Sequence, residues 1–404
     1  MLEILVSIVV IAFIIEALLD FLNQRSAVLP PDPLVAGLYD AKERNRSIEY
    51  GAAKYRVGLV SGTVSTSILI LALTQGWLAE LDRYIGDFVS VSMIQSLLFI
   101  GALSMISWLI SLPIALYSIF VVEAKYGFNK TTPKTFLSDT VKGTTVGLLI
   151  GTPILAAIIW LYERFIDRFW LYGWLLVSIF SIFMFMFGTK LILPLFNKLT
   201  PLPEGDLKRA ITEYCKTQGY SLSNLYVMDG SRRSTKANAF FSGLGKSKTI
   251  VLFDTLIEKL SRDEIVAVLA HEIGHYKRRH TYWMLIASNI QTLAIFGLLG
   301  WSLSYPELST ALGAETASFH LSAFTFFILL TPLQIILGLV NNSLSRRNEF
   351  DADTFAAKTY SKPAMRSALS KISTDSLANL SPHPLYVAFN YTHPTLAQRI
   401  RNVG

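Results

Sequence analysis

Seven stretches of this chain, 2 to 22, 57 to 80, 93 to 122, 143 to 163, 170 to 194, 281 to 304 and 319 to 344, are apolar and long enough to approach or exceed a membrane span. Crossing the hydrocarbon takes roughly 20 residues of helix. Runs of this kind leave the chain little choice. No water in the bilayer core can satisfy a free N–H or C=O, so a single segment must pair its own backbone groups, and the helix does that. The composition agrees: 52% of the 404 residues are hydrophobic and 16% charged, with a mean hydropathy of +0.44. Soluble domains carry about 25% charged residues. The expectation is a polytopic α-helical membrane protein. The third run is long enough to tilt, and Pro113 and Pro332 predict kinks in the third and seventh. The first run lacks a basic leader and a small-residue cleavage site, so it reads as a span rather than a signal peptide.

Charge sets the orientation. The connection between the first two spans carries Arg25, Lys42, Arg44, Arg46, Lys54 and Arg56, and that between the third and fourth carries Lys125, Lys130, Lys134 and Lys142. The alternate connections hold only Arg83, then Arg164 and Arg168, and residues 305 to 318 hold no Lys or Arg at all. By the positive-inside rule the N-terminus lies outside and the C-terminus, after seven crossings, in the cytoplasm.

The chain divides into residues 1–197 (five spans and their loops), a soluble block 198–280, two spans in 281–345 and a polar helical end 346–404. In the soluble block a helical rhythm through Leu207, Ile211, Tyr214 and Cys215 stops near Gly219. Asn224–Met228, Lys236–Phe241 and Lys248–Phe253 then read as short strands. A helix follows, opened by the capping-box pattern Ser261-Arg262-Asp263-Glu264 and striped by Ile265, Val266, Leu269 and Ile273. Together these predict a small α+β domain on the cytoplasmic side.

That last helix carries His271-Glu272-Ile273-Gly274-His275. Histidines four apart project from one face and can share one zinc, while Glu272, about 100° round the helix, is free to work as a general base. A third ligand is required, and Glu349, just past the last apolar run, is the candidate. Asp353, one turn on, is placed to accept from the free ring nitrogen of a ligating histidine. The same acidic residues, with Asp351, also fit a solvated helix face paired with Arg346 and Arg347. Glu349 reads as a ligand because a histidine pair alone makes a poor site. Asn238-Ala239 is the candidate edge at which an extended peptide would add as a strand, although the pair also fits a plain hairpin with a turn-favouring Asn.

These motifs, together with Tyr126-Gly127-Phe128-Asn129-Lys130-Thr131, His393-Pro394 with Arg399, and the seven spans, make the chain resemble the type I CAAX prenyl proteases over nearly its whole length. The resemblance implies a barrel of seven tilted helices around a water-filled chamber. It implies one Zn2+ per chain on His271, His275 and Glu349, with Glu272 as base and His393 and Arg399 assisting substrate or transition-state binding. It also implies a peptide or protein substrate, C-terminally prenylated in that family, from which the last three residues are removed. Pro394 equally suits the first turn of a helix, which would make His393 a cap.

No nucleic-acid partner is expected; the bilayer is. Surface positions account for His280, His320 and His383, and lone Cys215 suits a reducing compartment. The ending Arg401-Asn402-Val403-Gly404 has no retention signal and the soluble block no long insertion, which favours a bacterial inner membrane over the endoplasmic reticulum. A host without prenylated proteins would instead use such an enzyme for membrane-protein quality control. A transporter or receptor with a non-catalytic metal site is the rival class, but the spans at 93 to 122 and 281 to 304 offer few polar groups for passage. An intramembrane protease is weaker still, since Lys277, Arg278, Arg279 and His280 end the metal helix at an interface.

Overall fold

The structure, a computed structural model, describes residues 1–222, 224–242 and 249–404. Seven helices are long and apolar enough to cross a membrane. Their cores are Leu2–Ser26, Ala41–Thr74, Ser92–Tyr117, Pro133–Arg164, Phe169–Leu191, His280–Ser302 and Phe319–Ala356. Two of them start well before their apolar runs. Asp40 caps the second by accepting from Glu43 N–H at 2.7 Å, and Thr132 caps the fourth ahead of Pro133. Hydropathy sees only the lipid-facing stretch, whereas the caps set where a helix begins. The second ends at Thr74, not at residue 80, because Gly76 takes a positive φ of 72° and starts a separate short helix, Trp77–Gly86. The third runs on through a π-helical turn, Ser118–Glu123, which begins five residues after Pro113, where the ladder lacks an N–H.

The spans stand apart over much of their length. In the second to fifth, only 6% of the most apolar stretch is buried within the protein. Helices that exposed cannot form a solid bundle; one face meets lipid and the other a hollow. They converge instead at the end away from the soluble block. One apolar cluster there joins Leu5, Leu73, Leu78, Phe99 and Leu321, and another joins Ile159, Phe169, Phe296, Phe319 and Phe326. His320 sits in this seal, 3% exposed, with Nε2 2.7 Å from Asp82 Oδ1 and Nδ1 2.9 Å from Ser96 Oγ. Its surface assignment is therefore wrong: a polar group at an apolar seal needs partners, and residues far away in sequence supply them.

At the other end the soluble block builds a four-stranded sheet from β1 (Leu199–Pro201), β2 (Asn224–Met228), β3 (Ala239–Ser242) and β4 (Thr249–Phe253), in the order β1-β2-β4-β3. β2 and β4 are parallel; the outer pairs are antiparallel. The strand expected from Lys236 begins only at Ala239, and Lys248, the expected start of β4, lies outside the described residues. The helix Asp206–Thr217 ends before Gly219, whose φ of +57° continues no helix. The sheet packs through Ile250 and Leu252 against Ile265, Val266, Leu269 and Ile273 of helix Arg262–Lys277.

Candidate metal centre

Helix Arg262–Lys277 starts where its sequence says. Ser261 N–H donates to Glu264 Oε2 at 2.7 Å and Ser261 Oγ accepts from Glu264 N–H, closing the capping box. Lys371 and Ser367 also hold the Glu264 carboxylate, so the cap is tied to the following helix Lys362–Asp375. With six of its buried side chains in the core, the helix cannot turn, and the 271/275 face is fixed toward the end of helix Phe319–Ala356. Gly274 allows the two helices to touch: a Cβ there would lie 3.1 Å from Ala352 Cα and 3.2 Å from its carbonyl oxygen.

At this crossing three donors converge. His271 Nε2 is 3.2 Å from His275 Nε2 and 3.4 Å from Glu349 Oε2, and His275 Nε2 is 3.2 Å from Glu349 Oε1. Among the described residues this is the one group of three or more ligating side chains close enough to hold a metal ion. Glu349 is 5% exposed and its Oε2 makes no hydrogen bond, so the solvated-face alternative fails for it. It fails for Arg346 too, whose Nη1 donates to the carbonyls of Val387, Ala388 and Tyr391.

The outer ring nitrogens are both engaged. His271 Nδ1 donates to Asp353 Oδ1 at 2.8 Å, which leaves the Nε2 lone pair for a cation. His275 Nδ1 faces His280 Nδ1 at 3.0 Å, and His280 Nε2 approaches Asp351 Oδ2 at 3.8 Å. His280 is thus buried behind a candidate ligand and not on the surface, a correction to the sequence reading; the chain turns back at Arg279, in the left-handed region, and brings it there. The only sequence signal was a histidine five residues after His275. The site attracts positive charge. Burial opposes protonation of His271, but the hydrogen bond to Asp353 and the nearby Glu349 carboxylate outweigh it and raise the ring to about 9. Glu272 makes no protein hydrogen bond among the described residues, and burial raises its carboxyl above the usual range.

The C-terminal helix Leu396–Val403 is capped by Thr395 in a second capping box with Gln398, so His393 is not the cap. His393 instead presents a side chain that is 61% exposed, with Nε2 3.4 Å from Glu349 Oε1 and Nδ1 3.0 Å from Thr392 Oγ1. Arg399 lies deeper. Its guanidinium pairs with Asp353 at 2.6 and 2.8 Å and reaches Glu349 Oε2 at 3.3 Å. Asn238, exposed, accepts from Ala239 N–H through its own Oδ1, at the start of edge strand β3.

Comparison with known proteins decides the family. Residues 19–198 match the CAAX prenyl protease N-terminal region, described as five membrane helices, and residues 201–404 match peptidase family M48. The chain belongs to peptidase family M48. It is 34% identical over 413 residues to the CAAX prenyl protease 1 homolog of Arabidopsis thaliana, covering 99% of this chain and 97% of that one. With CAAX prenyl protease 1 of Saccharomyces cerevisiae the identity is 38% over 322 residues, 76% of this chain and 71% of the yeast one. The crystal structure of S. mikatae Ste24p superposes with a TM-score of 0.94 at 31% identity, covering 100% of this chain and 98% of that chain. The protein is an integral-membrane metalloendopeptidase of this family, with seven spans around a chamber and a small α+β protease domain.

Proposed function

We propose that the M48 centre of this chain binds one zinc ion on His271, His275 and Glu349, and that it removes the C-terminal three residues from prenylated proteins. The observation that carries the zinc reading is the donor spacing. Nitrogen and oxygen ligands held about 2.0 to 2.2 Å from a tetrahedral zinc stand about 3.3 to 3.6 Å from one another. Here the two histidine Nε2 atoms are 3.2 Å apart, Glu349 meets His275 with Oε1 at 3.2 Å and His271 with Oε2 at 3.4 Å, and one donor atom from each of the three residues lies within 4.8 Å of the others, which a modest shift would close to that spacing. Two imidazoles and one carboxylate also match the donor set of catalytic zinc, which keeps a fourth position open. When bound, zinc acidifies water and polarises the scissile carbonyl.

The chain's own residues supply the rest. Glu272, its pKa raised by burial, accepts the proton from the attacking water and passes it to the departing amine. His393, open on one side and anchored through Nδ1, donates to the oxygen on which negative charge develops. Arg399 is committed to Asp353, so it holds the carboxylates in place and keeps His271 in the tautomer that binds metal. Asn238-Ala239 holds the peptide. The Asn238 carbonyl accepts from Phe253 N–H, so by strand alternation the backbone groups of Ala239 face the free edge of the sheet, where the Asn238 side chain holds the Ala239 N–H until a peptide carbonyl replaces it.

The names of the curated relatives and the hollow between sparsely packed spans favour a prenylated substrate, whose lipid would rest among the helices at about 0.8 kcal/mol per buried methylene. The Lys and Arg asymmetry of the loops favours a cytoplasmic site with the N-terminus outside, in the inner membrane of a bacterium or the endoplasmic reticulum. The experiment is a kinetic series on matched peptides with and without a farnesyl group, using purified zinc-loaded protein. Preferential release of the C-terminal tripeptide from the farnesylated peptide is expected. Equal efficiency on both would reject the lipid requirement and leave a general membrane-protein protease.

A further inference from the structure

The Tyr126–Thr131 segment has no part in the chemistry above, yet it pairs with the stretch of chain that leads into the edge strand. Thr235 N–H donates to the Phe128 carbonyl at 3.1 Å, Lys130 N–H donates to the Arg233 carbonyl at 3.0 Å, and Asn129 and Ser234 form an antiparallel bridge. The place of this pairing is informative. Asn238 and Lys236 turn their carbonyls inward, to Phe253 N–H and Thr255 Oγ1, and Thr235 turns its own to Lys259 Nζ, whereas the Thr235 N–H and the Arg233 carbonyl face residues 128–130 on the outward side. Upstream, that side is already occupied by residues 128–130. A peptide added along β3 and extended back past Ala239 therefore meets residues 128–130 as a wall just past Lys236.

Charge marks the wall. Tyr50, 4% exposed, packs at a tilt against Tyr126 and Phe128 with ring centroids 5.0 and 5.1 Å away. Its hydroxyl donates to Glu123 Oε1 at 2.5 Å, and Lys236 Nζ donates to Tyr50 Oη at 2.9 Å and Glu123 Oε2 at 3.0 Å. Lys54 Nζ lies 5.5 Å from the same Tyr50 ring and makes no ion pair among the described residues. Two ammonium groups thus face one carboxylate that is already fully used. Tyr50, Lys54 and Lys236 also line one cavity of about 560 Å³.

We propose that this corner is a subsite for the free C-terminal carboxylate of the substrate, with Lys54 as its main cation, Lys236 beside it, and the Tyr126–Thr131 segment as the end-stop. The proposal rests on the reading of the chain as a C-terminal tripeptide-releasing protease and supplies the ruler for it. An α-ammonium end would be repelled here, so the peptide runs antiparallel to β3 with its C-terminus at the wall. Three extended residues cover about 10 Å, which is the reach from Ala239 back to Lys236. A chain that continued past the stop would have to displace the 128–130 pairing.

The test uses the full-length zinc-loaded protein and peptides that differ only at the C-terminus: free acid, carboxamide, and acid lengthened by two residues. Each is made with and without farnesyl, so that loss of lipid preference, which would sink the broader reading, is seen on a separate axis. Wild type should favour acid over amide by about tenfold in kcat/KM, as a charge-assisted contact implies. Lys54→Met should shrink that ratio to within about threefold, and Lys54→Arg should restore it. The lengthened peptide should be cut relative to its new end. Binding of acid and amide to the Glu272→Gln protein gives the same ratio without turnover. Equal handling of acid and amide by wild type, or full discrimination surviving in both Lys54→Met and Lys236→Met, would overturn the subsite. Cleavage of the lengthened peptide at the original bond with undiminished efficiency would overturn the end-stop.

Discussion

Gly274→Ala tests whether the metal centre depends on two helices touching. The added methyl carbon would lie 3.1 Å from Ala352 Cα, 3.2 Å from Ala352 O and 3.2 Å from Phe355 Cβ. Ordinary carbon contacts are about 3.5 to 4.0 Å, so the helices must separate by a few tenths of an ångström, and two of the obstructing atoms are backbone. Overpacking of this kind costs about 1 to 3 kcal/mol. Glu349 stands one turn before Ala352, so the separation carries it away from His271 and His275, where ligand distances tolerate about 0.2 Å. The variant should therefore lose thermal stability and zinc affinity together. The assay is thermal unfolding in detergent beside chelator competition for zinc. A variant with wild-type melting and wild-type affinity would refute the argument that this contact sets the site.

Three further outcomes are expected. His280→Phe removes the partner of His275 Nδ1 and should weaken zinc binding about 10 to 100-fold, while His280→Asn, which keeps an acceptor, should recover part of it; equal affinity in wild type and His280→Phe would dismiss the contact. Glu349→Ala should nearly abolish metal binding and Asp353→Ala should reduce it less, and normal zinc content in Glu349→Ala would assign the third ligand elsewhere. His271 is raised from 6.5 to about 9, so in chelated protein its stabilisation is present below 6.5 and lost as pH rises through 9, whereas metal binding, which displaces that proton, should tighten by about tenfold per unit between pH 6.5 and 9. Zinc affinity independent of pH in that window would contradict the protonated cluster.

Much of this architecture could be read from the residues because it rests on local periodicity. The apolar runs report spans since lipid contact is a property of each segment alone. His271 and His275 are placed by one helix and its cap, and the structure brings Glu349 to them through a single crossing. What stayed hidden depends on tertiary approach. His320 is partnered by Asp82 and Ser96, His280 is turned onto His275 by a reversal at Arg279, and neither contact leaves a spacing rule in sequence. Helix starts at Ala41 and Pro133 were missed because capping, not hydropathy, sets them. Arg399 stands out in the sequence as a candidate, but its depth beside Asp353 does not.

Glu272→Gln gives the most direct test of the account. The amide keeps the shape of the side chain but cannot accept the proton from water, and the residue is not among the metal donors. The purified variant should therefore bind one zinc per chain with wild-type affinity and show no release of the C-terminal tripeptide from a farnesylated peptide. Substantial turnover at full zinc occupancy would contradict the role of Glu272, and loss of zinc with the substitution would contradict the ligand set itself.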